Sequence, residues 1–276
     1  MPISVIVTTF NRPDALRAVL AGLFAQTDRG FEVIVADDGS RDDTRQLVES
    51  MAAGAPVSVR HVWQEDRGFR AGAARNRAAA VAAGDYLIFL DGDCIPRLDW
   101  IAQHRQLAEP GWMVAGNRIL LSERFTQHVL ERREPVHAWT IGQWRLAQFA
   151  GHINRTAPLR RLALGPLRKL GARRWQRVRT CNLGVWAADF RAVNGFDERF
   201  EGWGFEDSDL AIRLLNRGVR RKEGAFATGV LHLWHREHDR RFEARNRALL
   251  QQRIASGDVR AALGLDRYLT EDAGQT

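Results

Sequence analysis

Tyr86-Leu87-Ile88-Phe89-Leu90-Asp91-Gly92-Asp93 is the stretch that decides the fold of this chain. Five consecutive apolar residues, with no alternation of polar positions, describe a buried strand of the kind found in α/β sheets. The run stops at Asp91, so two carboxylates sit at the strand's carboxyl end, where open α/β sheets bind their ligands. Carboxylates this close repel each other unless a proton or a cation compensates them. Paired hard oxygen ligands suit a divalent metal.

The same rhythm runs back to the amino terminus. Residues 3–8 are short and β-branched, and Asn11-Arg12-Pro13-Asp14 then opens a helix carrying Leu16, Val19, Leu20 and Leu23 at helical spacing. Residues 31–36 repeat the strand pattern, run into Asp37-Asp38-Gly39-Ser40, and lead to a helix through Leu47 and Val48. A third strand fits 57–63, and an alanine-rich helix over 73–83 precedes the strand that ends at Asp91. The βαβαβαβ order predicts a mainly parallel, Rossmann-like sheet with helices on both faces. Beyond Asp93 the pattern is less regular: a helix over 100–107, a strand over 113–115, regular structure at 182–187 and a helix over 206–216.

With 276 residues the chain can form one large α/β domain, or one domain with appendages. Its 45% hydrophobic and 27% charged residues are ordinary for a globular protein and argue against wholesale disorder. No apolar stretch has the length of a membrane-spanning helix, and Met1-Pro2-Ile3-Ser4 leads into a strand without the regions of a secretory signal. Cys94 and Cys181 are too few for a disulfide framework and show no metal-type pairing, so a cytoplasmic protein is expected. The net charge of +8 is unevenly placed, because residues 118–179 hold fourteen Lys or Arg against three Glu, a balance of +11, leaving −3 elsewhere.

Trp139, Trp144, Phe149 and Trp175 lie among those arginines. Residues 159–170 mix leucine and cations in the manner of an interfacial helix, which Gly165-Pro166 divides in two. An anionic membrane surface fits such a segment, and so does a helical excursion whose leucines pack on the main domain. The chain accordingly divides into 1–117, a basic helical insert over 118–179, 180–240, and a helical tail over 241–276 with a polar end at 270–276.

Three further groups carry chemistry. Asp37 and Asp38 end the second strand, where one of them can accept hydrogen bonds from a nucleotide base or sugar, or both can simply make the turn. Glu206, Asp207 and Asp209 follow Gly202-Trp203-Gly204, which suits an aromatic flap over a reaction centre; acids at a helix N-terminus also suit its dipole. His232 and His235 reach one metal if the chain turns there and not if it stays extended, and His238 is a weaker candidate. A metal held by Asp93 would bridge two phosphate oxygens, with Asp91 left to orient a ribose, while the Cys94 thiol is read as packing. The combination describes a metal-dependent transfer site for a phosphorylated donor.

In ordered combination the motifs resemble a known family. Ser4-Val5-Ile6-Val7-Thr8-Thr9-Phe10-Asn11, Val35-Ala36-Asp37-Asp38-Gly39-Ser40, Gly72-Ala73-Ala74-Arg75-Asn76 and Phe89-Leu90-Asp91-Gly92-Asp93 resemble the nucleotide-sugar-binding motifs of family 2 glycosyltransferases with the GT-A fold. Asn194-Gly195-Phe196-Asp197, Gly202–Asp207 and the two imidazoles resemble the carboxyl-terminal half of the β-1,4-galactosyltransferases and the bacterial chondroitin-type polymerases. The resemblance implies that Thr8 and Asp38 contact uracil or ribose, that Arg75 and Asp91 belong to the donor site, and that Asp93 is the metal ligand of a DXD element. It further implies Asp207 as general base, Glu206 on the acceptor side, Trp203 as the flap, and His235 with His232 as late metal ligands for Mn2+ or Mg2+. His232 departs from the galactosyltransferases, which have methionine there. The Gln-x-x-Arg-Trp signature of processive synthases does not occur near the carboxyl terminus, which favours single addition.

The expected protein is therefore an inverting transferase moving a sugar from a nucleotide-diphosphate sugar, UDP favoured, to a glycan or lipid-linked acceptor. A place in bacterial surface polysaccharide synthesis, in the cytoplasm or peripheral at the inner face of the membrane, follows from the resemblance and the basic insert, with no nucleic acid as partner. Two alternatives belong to other classes. A nucleotidyltransferase would carry a glycine-rich phosphate loop after the first strand, where Thr8-Thr9-Phe10-Asn11 stands instead. A non-enzymatic basic protein binding membrane or nucleic acid would explain the +11 segment and none of the acids and imidazoles outside it.

Overall fold

The computed structural model describes residues 1–236 and 239–269, so His238 and the 270–276 tail lie outside the described residues. Strands β1 (Ile3–Thr9), β2 (Phe31–Asp37), β3 (Val59–Trp63) and β4 (Tyr86–Asp91) pair in parallel, as the alternation with helices predicts. The intervening helices are α1 (Pro13–Phe24), α2 (Asp42–Ala52) and α3 (Ala71–Ala80). Next come β5 (Cys94–Pro96), α4 (Trp100–Leu107), β6 (Trp112–Ala115), β7 (Arg118–Leu120), α5 (Glu123–Arg132) and α6 (Ile141–Phe149). The chain continues through β8 (Asn182–Trp186), α7 (Ala187–Ala192), α8 (Glu206–Asn216), β9 (Arg220–Glu223), β10 (Val230–His232), α9 (Glu243–Ser256) and α10 (Asp266–Leu269).

Among the described residues the main sheet has the order β3-β2-β1-β4-β8-β6-β9. β8 runs antiparallel to β4 and β6, and β9 returns parallel to β6. The apolar run of β4 is continuous because both of its faces are covered. Tyr86, Ile88 and Leu90 enter the core shared with α1, α2, α4, α5 and α6, whereas Leu87 and Phe89 enter the one shared with α3, α7 and α8.

A second, three-stranded sheet has the order β5-β10-β7, with β10 antiparallel to β5 and parallel to β7. Its strands are three residues each, too short to leave a periodic pattern in the sequence. β7 thus carries the first residues of the basic segment directly against β10. Farther along, Phe125, Val129, Trp144 and Leu159 are buried in the core with α1.

The helix anticipated over 159–170 is not α-helical. Its place is taken by two 3-10 turns, Ala157–Leu159 and Gly165–Lys169, each with proline in its first two positions. Gly165 sits at φ 50°, and two prolines this close remove the amide donors that an i to i−4 ladder needs. Leu159 packs inward as the packing alternative expects, while Leu162, Leu167 and Leu170 stay exposed.

The carboxyl-terminal stretch is helical in α9 and α10, separated at Gly257, whose φ of 70° ends α9. α9 is anchored through buried charge. The Asp209 carboxylate accepts from Arg213 Nε and Arg253 Nε at 2.8 Å each, and Arg253 Nη2 donates to Asp197 Oδ2 at 2.8 Å. Arg213 also donates to the Val193 and Gly195 carbonyls, both at 2.7 Å. Asp209, grouped with the site acids above, therefore belongs to the scaffold. Removing one partner of a buried ion pair strands the others, so Asp209→Ala should lower the unfolding free energy by about 3–5 kcal/mol. Urea titration measures this, and an unchanged midpoint would show that the network carries no stability.

Candidate active site

Parallel register brings the first two site residues together, since Thr8 on β1 lies beside Asp91 on β4. The chain then turns so tightly that the Gly92 amide donates to the Thr8 carbonyl at 2.7 Å, and a Cβ on Gly92 would sit 2.8 Å from that oxygen. Only glycine fits the turn between the two aspartates. Arg75 reaches this edge from α3. Its Nε donates to Thr8 Oγ1 and its Nη2 to Asp91 Oδ1, both at 2.9 Å, and the guanidinium lies over the Phe196 ring at 5.3 Å from its centre. Burial works against the Arg75 charge, but Asp91, Asp207 and Glu206 outweigh it and raise its pKa.

Glu206 and Asp207 come from the first turn of α8. Phe205 precedes them in the left-handed region at φ 72°, and Gly202 and Gly204 have φ of 71° and 111°, so the loop folds back sharply on itself. Asn246 of α9 holds the loop by donating to the Glu201 and Gly204 carbonyls at 2.9 and 3.1 Å. Glu206 Oε1 stands 3.6 Å from Arg75 Nη1, and Asp207 Oδ1 accepts a short hydrogen bond from the Thr180 hydroxyl. Trp203, partly exposed, has the Arg240 guanidinium over its ring at 5.2 Å.

The imidazoles arrive from the small sheet. His232 is in register with Cys94, one residue after Asp93, and the Leu233 amide donates to the Asp93 carbonyl at 2.9 Å. The strand ends at His232 and the chain bends, so both rings meet the same carboxylate: His232 Nε2 is 3.7 Å from Asp93 Oδ1 and His235 Nε2 is 3.4 Å from Asp93 Oδ2. Cis ligands of a small divalent ion held at ~2.1 Å lie about 3 Å apart, so a modest contraction would let all three bind one cation. Burial lowers the His232 pKa and keeps the ring neutral, the form that ligates metal. His235 Nδ1 faces the Arg236 carbonyl at 2.7 Å, which assigns the proton to Nδ1 and leaves Nε2 as acceptor. The Cys94 thiol lies with Asp93 and His232 in a group whose ligand atoms are all within 4.8 Å. Burial raises its pKa well above the ordinary thiol range, so it is a protonated core residue and a poor ligand for a hard cation.

Asp38 and Asp37 are turned inward. Asp38 accepts from Gln64 Nε2 at 2.5 Å and from the Arg70 amide at 2.7 Å, and burial pushes its pKa up to about 6. Asp37 accepts from the Ser40 amide at 2.7 Å and meets His61 Nε2 at 2.8 Å. Asp38 thus shapes the loop over 64–70 beside the Thr8 edge.

The structure brings Thr8, Arg75, Asp91, Asp93, Glu206, Asp207, His232 and His235 to one end of the sheets, with Trp203 in the adjoining loop. Sequence reasoning passed over Thr180, which orients Asp207, and Arg118, whose raised pKa, though opposed by burial, reflects Cys181, Cys94, Asp91 and Asp93 nearby. It also missed Thr126, whose buried hydroxyl accepts from the Trp234 amide at 2.8 Å, between the two imidazoles. Neither threonine has a local sequence signal, because each meets its partner through the fold. Thr126→Val should weaken Mn2+ binding about tenfold by loosening the imidazole loop, while Thr126→Ser should restore it. Calorimetric titration of Mn2+ into the variants measures this, and equal affinity in Thr126→Val would dismiss the link.

Burial, with Asp207 second, pushes the Glu206 carboxyl up to about 7 from 4.5, Arg75 opposing. A carboxyl raised in the folded state favours folding when protonated, so its contribution is present below about pH 4.5 and lost as the pH rises to about 7. In metal-free buffer the melting temperature should fall across that window, and Glu206→Gln should flatten the fall. An identical slope in the variant would place the titration elsewhere.

Residues 4–161 match the family described as glycosyl transferase family 2, and residues 169–236 match that of the N-terminal domain of galactosyltransferase. The first match covers more than half of the chain, which belongs to glycosyl transferase family 2. Validoxylamine A glucosyltransferase of Streptomyces hygroscopicus subsp. jinggangensis (strain 5008) is 31% identical over 255 residues, covering 86% of this chain and 57% of that protein. The chain spans about half the length of the first curated relatives it matches, 57% and 53%. TarS 1-349 of S. aureus, solved in complex with UDP, aligns with a TM-score of 0.64 at 17% identity, over 100% of this chain and 71% of that one. The mannosyltransferase PcManGT of Pyrobaculum calidifontis, solved with GDP-Man and Mn2+, aligns with a TM-score of 0.60 at 20% identity, over 98% and 68%. The mainly parallel sheet flanked by helices is the GT-A fold.

Proposed function

We propose that the chain is an inverting, metal-dependent glycosyltransferase that moves a sugar from a nucleotide-diphosphate sugar to a hydroxyl of a glycan or lipid-linked acceptor. The observation that carries this is the convergence of Asp91 and Asp93, Glu206 and Asp207, and His232 and His235 at one sheet edge from three distant parts of the chain. UDP is favoured as the nucleotide because Thr8, at the end of β1, is a residue that the family resemblance assigns to uracil or ribose; Asp38, held inward by Gln64 and the Arg70 amide, would act by shaping the loop beside it. The UDP complex of the fold neighbour supports this, and the GDP-Man complex of the other supports a nucleotide sugar in general.

Asp93, His232 and His235 would hold Mn2+ or Mg2+. When bound, the ion supplies positive charge against the departing diphosphate. The donor set fits: the two Asp93 oxygens face imidazole nitrogens at 3.7 and 3.4 Å, and a carboxylate with two imidazoles is a ligand set that a divalent cation accepts.

Asp207 takes the proton of the acceptor hydroxyl as that oxygen attacks the anomeric carbon, from the face opposite the nucleoside diphosphate, so configuration inverts. Thr180 occupies Oδ1, which turns Oδ2 to the acceptor. Glu206, beside it, orients the acceptor. Arg75 fixes Thr8 and Asp91 against the donor, and its Nη1, buried and without a hydrogen bond among the described residues, is a donor for the sugar or its phosphate. Trp203 closes over the bound sugar and excludes water. We place the reaction in bacterial surface polysaccharide synthesis.

Asp207→Asn should reduce transfer at least about a hundredfold, the contribution of a positioned general base, while leaving the donor-induced thermal shift nearly intact. A screen of UDP-, GDP- and dTDP-sugars with and without Mn2+ reads that shift. Equal turnover by the variant would remove Asp207 from the reaction, and no Mn2+-dependent shift with any donor would overturn the metal site.

A further inference from the structure

We propose that the outer face of α6, together with the exposed leucines of residues 162–170, is a docking surface for an anionic phospholipid bilayer. α6 buries Trp144 and Ala147 against the core, while Leu146 and Phe149, three residues apart and so on a common side, are 72% and 95% exposed. The helix that presents them is well defined, since Thr140 and Gln143 form a reciprocal capping box at its start. Arg145, exposed, lies on the same side four residues before Phe149.

The second stretch is equally fixed. Arg168 is buried and donates to the carbonyls of Glu223, Ala225 and Leu162 at 2.9, 2.7 and 2.9 Å, which pins this segment to the body while Leu162, Leu167 and Leu170 face outward. The Thr156 hydroxyl donates to Gln148 Oε1 at 2.7 Å and ties the end of α6 to the turn that leads into the second stretch. Exposed cations accompany the leucines: Arg155, Arg160, Arg173 and Arg174, whereas Lys169 is engaged by Glu109 at 2.7 Å.

Large apolar side chains concentrated in one segment mark an interaction surface. Its occupant must accept both chemistries, since Arg145, Arg155, Arg160, Arg173 and Arg174 are exposed in the same stretch of chain as the apolar side chains. A bilayer with acidic headgroups does so, because phosphates meet the arginines and the acyl boundary takes Phe149 and the leucines. An acidic glycan would satisfy the cations and leave Phe149 in water. No helix among the described residues is long and apolar enough to cross a membrane, so the surface would lie on the bilayer.

Co-sedimentation of the whole chain with vesicles tests this, using phosphatidylcholine alone and phosphatidylcholine with added phosphatidylglycerol. The chain should pellet with the acidic vesicles, less so as salt rises. The Leu146→Ser, Phe149→Ser double variant should lose at least about tenfold in partitioning while melting at the wild-type temperature. Three results would each overturn the proposal: no binding to acidic vesicles, equal binding by the double variant, or salt-sensitive binding to heparin without binding to vesicles. The last would assign the cations to an acidic glycan.

Discussion

Three carboxylates, those of Asp91, Glu206 and Asp207, are crowded at one end of the sheet around the buried Arg75 guanidinium, with Asp93 next to Asp91, and the architecture is arranged to tolerate that crowding. Arg75 reaches Thr8 and Asp91 on the sheet and approaches Glu206 on α8, so one side chain from α3 links the edge of β1 and β4 to α8. Its charge cannot be titrated away, and the Phe196 ring supports its far side. The residual repulsion shows in Asp91 and Glu206, whose carboxyls burial and like charge push up to about 6 and about 7, against the pull of Arg75.

The small sheet brings two imidazoles to the Asp93 carboxylate. β10 stands between β5, which continues from Asp93, and β7, which begins the basic segment. His232 is held from the β7 side as well, because its carbonyl accepts from the Leu121 amide at 2.9 Å. With Thr126 holding Trp234, the segment over 118–179 becomes part of what aims the imidazoles at Asp93. A surface on α6 that meets a bilayer would then sit on the same segment that steadies the imidazoles, through elements that share one core.

The parallel half was legible because its signals are local. β1, β2 and β4 lie within a residue or two of the strands expected from their apolar runs, and α4 and α8 begin and end where periodicity places them. β3 begins two residues later than expected, at Val59. The site acids and imidazoles were legible as residue types in ordered motifs, and they converge. What stayed illegible is non-local. β5, β7 and β10 have too few residues for a period, and the 159–170 stretch, read as a helix divided at Gly165-Pro166, has a 3-10 turn there and no α-helix on either side. Asp209 looked like its neighbours on α8 until Arg253, from α9, showed it to be scaffold.

By itself the sequence determined the strand and helix order of the first half, the carboxylates at the end of β4 and the family that the motifs define, since these depend on periodicity and on residues adjacent in the chain. Tertiary structure alone decided which acids face the site, that His232 and His235 both meet Asp93, and that Thr126 holds the imidazole loop and Thr180 the Asp207 carboxylate. These are contacts between residues far apart along the chain, and an interaction energy that depends on a distance of a few ångströms has no counterpart in sequence until the core has packed.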